Sequence, residues 1–180
     1  MPEGDTLFRT ARTLDRALAG QTITTFESVL PKLERVNVDA GIVGRQVEQV
    51  EAQGKWLLMR LSNDLILLTH MLMSGSWHIY RPGESWKRPR AQMRIVLGTK
   101  AILAVAFNVP VAEFHTPETL RRRKSFRQLG PSVLAPEFDA PRILANLRAN
   151  PTKEIGAALL EQSLLAGVGS SLSYSSKAAG

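Results

Sequence analysis

Cysteine is absent from the 180-residue chain, which excludes disulfides, thiolate nucleophiles and every cysteine-ligated zinc site at once. Histidine is nearly as scarce. His70, His78 and His115 are too scattered to suggest a metal site, so no metal and no cofactor is expected. No apolar run reaches the ~18 residues of a membrane-spanning helix. The opening Met1-Pro2-Glu3-Gly4-Asp5 is acidic and polar, where a secretory leader would be basic and then apolar. These absences lead to the expectation of a cytoplasmic protein with no membrane partner. The few large rings, Trp56, Trp77 and Trp86, are assigned to core and surface packing, with Trp86 a secondary stacking candidate because Lys87 and Arg88 follow it.

What is present suits a folded domain: 44% of residues are hydrophobic and 22% charged, enough for one core or two small ones. The net charge of +7 is unevenly placed. Between residues 81 and 127, eleven Lys/Arg face three Glu, a surplus of +8. Such a concentration is the electrostatic footprint of a nucleic-acid binder, because phosphate neutralisation supplies affinity without sequence preference. A merely solvated face fits the charge alone equally well.

Periodicity divides the chain. Leu7, Phe8, Ala11, Leu14, Ala17 and Leu18 follow helical spacing from Asp5 to Ala19, with Asp5 or Thr6 as the cap and Gly20 as the stop. Short β-rich runs follow at Thr22–Val29, Gln46–Ala52, Trp56–Leu61, Leu65–Leu68, Trp77–Tyr80, Met93–Leu97 and Ala101–Phe107, the pattern of a sandwich or barrel. Helical spacing returns at Pro117–Lys124, Pro141–Ala149 and Lys153–Leu164, the last with an apolar stripe of Ile155, Leu159 and Leu160. The expected class is α+β: an N-terminal helix with an antiparallel β-sandwich over residues 1–130, then a partial helical domain over 131–180, the two joined by Gly130-Pro131-Ser132-Val133-Leu134-Ala135-Pro136. The Ser/Ala/Gly-rich stretch from Ser170 to Gly180 is expected not to pack.

Pro2 is the residue with the most distinctive chemistry. Removal of Met1 would leave a secondary amine with a pKa near 8, a usable nucleophile at neutral pH, beside the Glu3 carboxyl. Such an amine can attack a sugar C1′ and form an iminium, while the carboxyl protonates the ring oxygen. A retained Met1 would leave Pro2 an inert amide.

The opening Met-Pro-Glu-Gly-Asp-Thr and the helix after it resemble the start of bacterial endonuclease VIII proteins, of the formamidopyrimidine-DNA glycosylase / endonuclease VIII family. Four more segments agree in order. Gln53-Gly54-Lys55-Trp56-Leu57-Leu58 is similar to the family's Gly-Lys turn, Thr69-His70-Met71-Leu72-Met73-Ser74-Gly75 to its intercalation loop, Leu129-Gly130-Pro131-Ser132-Val133-Leu134 to its interdomain linker, and Lys153–Gly169 to its helix-two-turn-helix element. The resemblance implies a bifunctional glycosylase and abasic-site lyase for oxidised bases, pyrimidines favoured, acting as a monomer on double-stranded DNA. Pro2 is then the Schiff-base nucleophile, Glu3 the ring-opening acid and Lys55 the accessory acid in elimination. Leu72, Met73 and Ser74 enter the duplex, and Arg127, Gln128, Gly167, Gly169 and Ser170 contact DNA. His70 is taken as a local hydrogen-bonding residue.

The sequence departs from the family pattern in three places. Gln128 stands where endonuclease VIII proteins often carry Arg, with Arg127 adjacent; Ser170 stands where Asn is usual; and no zinc finger follows. A C-terminally truncated member is therefore expected, and a non-catalytic DNA-binding fragment of the same family is the alternative function. An unrelated basic β-protein that binds RNA is a third and more distant reading.

Overall fold

The computed structural model describes residues 4–123, 126, 130–131, 139–161 and 163–166. Helix α1, Gly4–Leu18, begins one residue before the sequence pattern, so Asp5 and Thr6 are first-turn residues and not caps. Its stripe of Leu7, Ala11, Leu14 and Leu18 is buried to 3% exposure or less, as i, i+4, i+7, i+11 spacing requires. Gly20, at φ 79°, turns the chain out of the helix.

Among the described residues, eight antiparallel strands make two four-stranded sheets. One has the order β2-β3-β4-β8, built from Val47–Gln53, Trp56–Leu61, Leu65–His70 and Val111–His115. The other has the order β1-β6-β7-β5, built from Thr25–Ser28, Met93–Gly98, Leu103–Phe107 and Ser76–Tyr80. The inward side chains of both sheets form the main core with α1, among them Leu57, Met59, Leu67, Ile95, Ala104 and Ala106. Each sheet also buries its outer face. Trp86 covers Tyr80, Met93, Val96, Val105 and Phe107 on one; helix α3, Pro117–Arg122, lays Leu120 on Leu58, Ile66 and Leu68 of the other. This explains why β3 and β4 read as near-continuous apolar runs.

The same layering divides the basic segment in space. Arg81, Lys87, Arg88 and Arg90 belong to the crossover from β5 to β6 over one outer face, while Arg121 and Arg122 ride on α3 over the other. Among the described residues, these basic side chains thus divide between two faces.

Several elements differ from expectation. Helix α2, Pro31–Ala40, has no counterpart in the sequence pattern, because Leu33 is the one fully buried residue it offers while Val38 is 81% exposed. Strand β8 was equally unmarked. Toward the end, α4 spans Ala140–Arg148 close to its expected range, but α5 is only Ile155–Leu160. The chain turns after it so that Ala166 N–H donates to Pro131 O at 3.0 Å, and Ala158, Leu164, Leu165 and Ala166 are buried in place of the expected stripe. Ile155 and Leu160 are exposed. Trp86, stacked on Tyr80 at 6.3 Å and edge-on to Phe107 at 5.7 Å, is a packing residue and not a free stacking platform.

One hydrogen bond orients α1 on the sandwich. Val50 N–H donates to the Asp15 carboxylate at 2.7 Å, and five residues on, Gly20 N–H donates to Val47 O at 2.8 Å. Replacing Asp15 with Ala is expected to destabilise the fold by about 1–3 kcal/mol, since the Val50 donor loses a charged acceptor. Urea denaturation measures it, and a change under ~0.5 kcal/mol would show that the contact does not matter.

Burial lowers His70, His78 and His115 below the ordinary 6.5, with Lys55 and Arg123 adding to it at His70 and Arg88 and Lys87 at His78. The folded state therefore resists protonation more than the unfolded chain does. Stability from these sites is present above about pH 6.5 and is lost as pH falls toward the folded values. The urea midpoint is expected to drop between pH 7.5 and pH 5.5, and less so in a triple His→Gln variant.

Candidate functional site

The direction of α1 follows from its two anchors. Gly20 lies at Val47 and Asp15 at Val50, so moving toward the start of the helix means moving along β2 toward Gln53. Gly4, where the described chain begins, is thereby aimed at the end of the sandwich that carries the β2–β3 hairpin. Pro2 and Glu3 lie outside the described residues, as do Arg127, Gln128, Gly167, Gly169 and Ser170.

That hairpin is a two-residue loop, with Gln53 opposite Trp56. Gly54 adopts φ 60° at its first central position, a value that costs glycine little and other residues more. Lys55 follows and is exposed. The register Leu57 to Thr69 then brings Trp56 beside His70, and their rings meet edge to face at 4.6 Å and 76°.

The loop from Met71 to Gly75 projects from the same end. Met71 is buried and anchors it, while Leu72 and Met73 are 46% and 75% exposed and Ser74 is exposed. Gly75 N–H donates to Met71 O at 2.8 Å. The turn is so tight that a Cβ on Gly75 would lie 2.5 Å from that oxygen. Leu72 sits at φ 47°, a left-handed conformation unfavourable for a leucine. Its N–H donates to His70 Nδ1 at 3.2 Å, which needs the imidazole neutral with its proton on Nε2. The lowered pKa of His70, caused first by burial and then by Lys55 and Arg123, keeps that acceptor available.

The structure thus brings Lys55 and the three loop residues, singled out separately in the sequence, to one end of the fold, and His70 makes a local hydrogen bond as expected. Sequence reasoning missed the group behind them. Arg123 lies over the Trp56 ring at 4.4 Å, its guanidinium is bonded to Glu113, and Glu113 is also 3.0 Å from His115 Nε2. The signal was faint: Glu113 and His115 alternate on one face of a strand, followed at once by a basic helix.

The Lys55–Met73 end protrudes. Two grooves, of about 530 Å³ between α1 and β5 and about 620 Å³ under α3, are lined by none of Lys55, His70, Leu72 or Met73. Among the described residues, no three His, Asp or Glu gather as metal ligands, and no helix is long and apolar enough to cross a membrane.

Residues 1–110 match the formamidopyrimidine-DNA glycosylase N-terminal domain. The chain is 39% identical over 170 residues to "Probable endonuclease 8 2" of Streptomyces coelicolor, covering 94% of this chain and 59% of that protein. It is 35% identical over 170 residues to "DNA-(apurinic or apyrimidinic site) lyase Nei2" of Mycolicibacterium smegmatis, covering 94% and 63%. In fold it is similar to the formamidopyrimidine DNA glycosylase of Lactococcus lactis, solved with DNA containing an abasic site, with a TM-score of 0.71 at 20% identity over 93% of this chain and 64% of that one. The chain spans less than two thirds of each of these proteins. With the matched domain covering the helix, both sheets up to β7, the Lys55 turn and the exposed loop, the chain belongs to the formamidopyrimidine-DNA glycosylase / endonuclease VIII family.

Proposed function

We propose that the chain acts in base-excision repair as a DNA glycosylase with abasic-site lyase activity, on oxidised bases in double-stranded DNA, pyrimidines favoured. The observation that carries this reading is spatial: the described start of α1 is directed to the end of the sandwich where Lys55, His70 and the Leu72–Met73 loop stand together. The names of the two bacterial relatives, an endonuclease 8 and an abasic-site lyase, support the same chemistry, and the basic crossover and α3 supply cationic surface for phosphates.

In this mechanism the Pro2 amine, freed by loss of Met1, attacks C1′ of an everted nucleotide. The C1′–base bond breaks, the base leaves with the electron pair, and Glu3 protonates the ring oxygen as the sugar opens to the iminium. A proton then leaves C2′ and the 3′ C–O bond breaks by β-elimination, with Lys55 as accessory acid for the departing phosphate. Water hydrolyses the imine and returns the amine. The steps need only an amine, a carboxyl and an ammonium, and no cofactor. Leu72 and Met73 fill the gap left in the stack, which offsets part of the few kcal/mol that unstacking costs. Residues 1–130 would carry the chemistry and residues 131–180 the start of a helix-two-turn-helix DNA contact.

Borohydride reduction of the protein mixed with an abasic-site duplex is expected to trap a covalent adduct at Pro2, verified by peptide mass. Lys55→Ala is expected to slow strand cleavage about 10²-fold while leaving adduct formation less affected. No adduct from protein whose mass confirms loss of Met1 would eliminate the enzymatic reading, and equal affinity for damaged and intact duplex would then favour a non-catalytic DNA-binding fragment.

The wedge can be tested separately. Replacing both Leu72 and Met73 by Ala is expected to lower excision of a damaged base roughly tenfold to hundredfold, with a smaller effect on an abasic site, where no base must be unstacked. Equal losses on the two substrates would count against a wedge.

A further inference from the structure

The side chains behind the exposed loop form an unbroken series of contacts from β8 and α3 to the Leu72 backbone. The Glu113 carboxylate accepts from Arg123; the Arg123 guanidinium lies over Trp56 at 4.4 Å; and Trp56, packed also against Phe126 at 6.0 Å, meets His70 edge to face at 4.6 Å. His70 Nδ1 in turn accepts the Leu72 N–H at 3.2 Å. An imidazole can accept that bond only if its plane is fixed with Nδ1 toward residue 72. The indole supplies the wall that fixes it, and Arg123, at the C-terminal end of α3, holds the indole.

We propose that Arg123 is a positioning residue for the wedge loop: acting through Trp56 and His70, it holds Leu72 in the left-handed conformation that presents the loop. Arginine suits the task because its guanidinium stacks as a plane while forking to a carboxylate, which the tetrahedral ammonium of lysine cannot do. The assignment rests on reading Leu72–Met73 as a DNA wedge, but the order it predicts exists in the free protein and can be measured without DNA.

The experiment is amide hydrogen exchange by NMR on the free 180-residue chain, with the sandwich amides of Met59 and Ala106 as internal reference and the ratio of Leu72 to these as the readout. In Arg123→Gln the Leu72 amide is expected to exchange roughly five- to tenfold faster than in the parent relative to the reference. Glu113→Gln, which releases the guanidinium without removing it, is expected to act in the same direction. Arg123→Lys, which keeps the ion pair and loses the stacked plane, is expected not to restore protection. An unchanged Leu72 ratio in both Arg123→Gln and Glu113→Gln, or full rescue by lysine, overturns the proposal. Faster exchange at Leu72 in a protein that forms no adduct at Pro2 would uphold the positioning role and remove the enzymatic reading, so the two can fail separately.

Discussion

The placement of α1 along β2 is the constraint on which the rest of this molecule depends. A helix with one apolar stripe can lie on a sheet edge in either direction, and hydrophobic burial alone is nearly indifferent to the choice. The Asp15 carboxylate removes that indifference. It accepts the Val50 N–H, which has no β-ladder partner on that side because β2 is an edge strand. The bond satisfies a half-buried donor and protects an edge that could otherwise pair with another chain. It also fixes which end of the sandwich faces the start of the helix. The proposed mechanism, with Pro2 as nucleophile, depends on this direction, because the residues before Gly4 continue toward whichever end the helix start faces.

The sandwich gathers the remaining groups because turns at one end of antiparallel strands are neighbours by construction. Lys55 comes from the β2–β3 hairpin, Leu72 and Met73 from the connection between β4 and β5. These two strands lie in different sheets, so the loop must cross the thickness of the core; Met71, 3% exposed, makes the crossing as a core residue and leaves the next two side chains outside. The strained φ of Leu72 follows from the short span. Conformations of that kind cost about 1–3 kcal/mol and persist only where their surroundings hold them, and here the hydrogen bond to His70 and the Gly75 to Met71 closure do so.

How much of this was legible in the sequence depends on whether a residue's role was local. The α1 stripe, the Gly54-Lys55 turn and the exposed Met73 beside Ser74-Gly75 are each marked within a few positions, and each has the local structure that the pattern suggested. Helix α2 was not legible because Val36 and Val38 weaken its helical propensity and Leu33, with only a half-buried Val36 beside it, makes too short an apolar stripe to recognise. Strand β8 follows Pro110 and alternates only briefly, with Ala112 and Phe114 in the core and Glu113 and His115 on the outer face, so just two inward residues mark it. The Trp56–His70–Arg123 arrangement was invisible for a different reason. It exists only because the β3–β4 register sets residue 56 beside residue 70 and because α3 folds back over the same sheet, and neither fact is written in the neighbourhood of any one of the three.

Arg123 therefore bears on how a basic run should be understood. Arg121, Arg122 and Arg123 are consecutive, yet the helix sends them in different directions. Arg122 is spread on the surface, paired with Glu118 at 77% and 73% side-chain exposure, a bond worth little in water. Arg123 is 24% exposed, between a carboxylate and an indole, where lower dielectric strengthens both contacts. Removing the first would change long-range attraction to phosphate; removing the second would change shape. The proposed wedge role would gain from the second kind of residue, because a loop already held in one shape loses less conformational freedom on entering a base stack than one that must be ordered there.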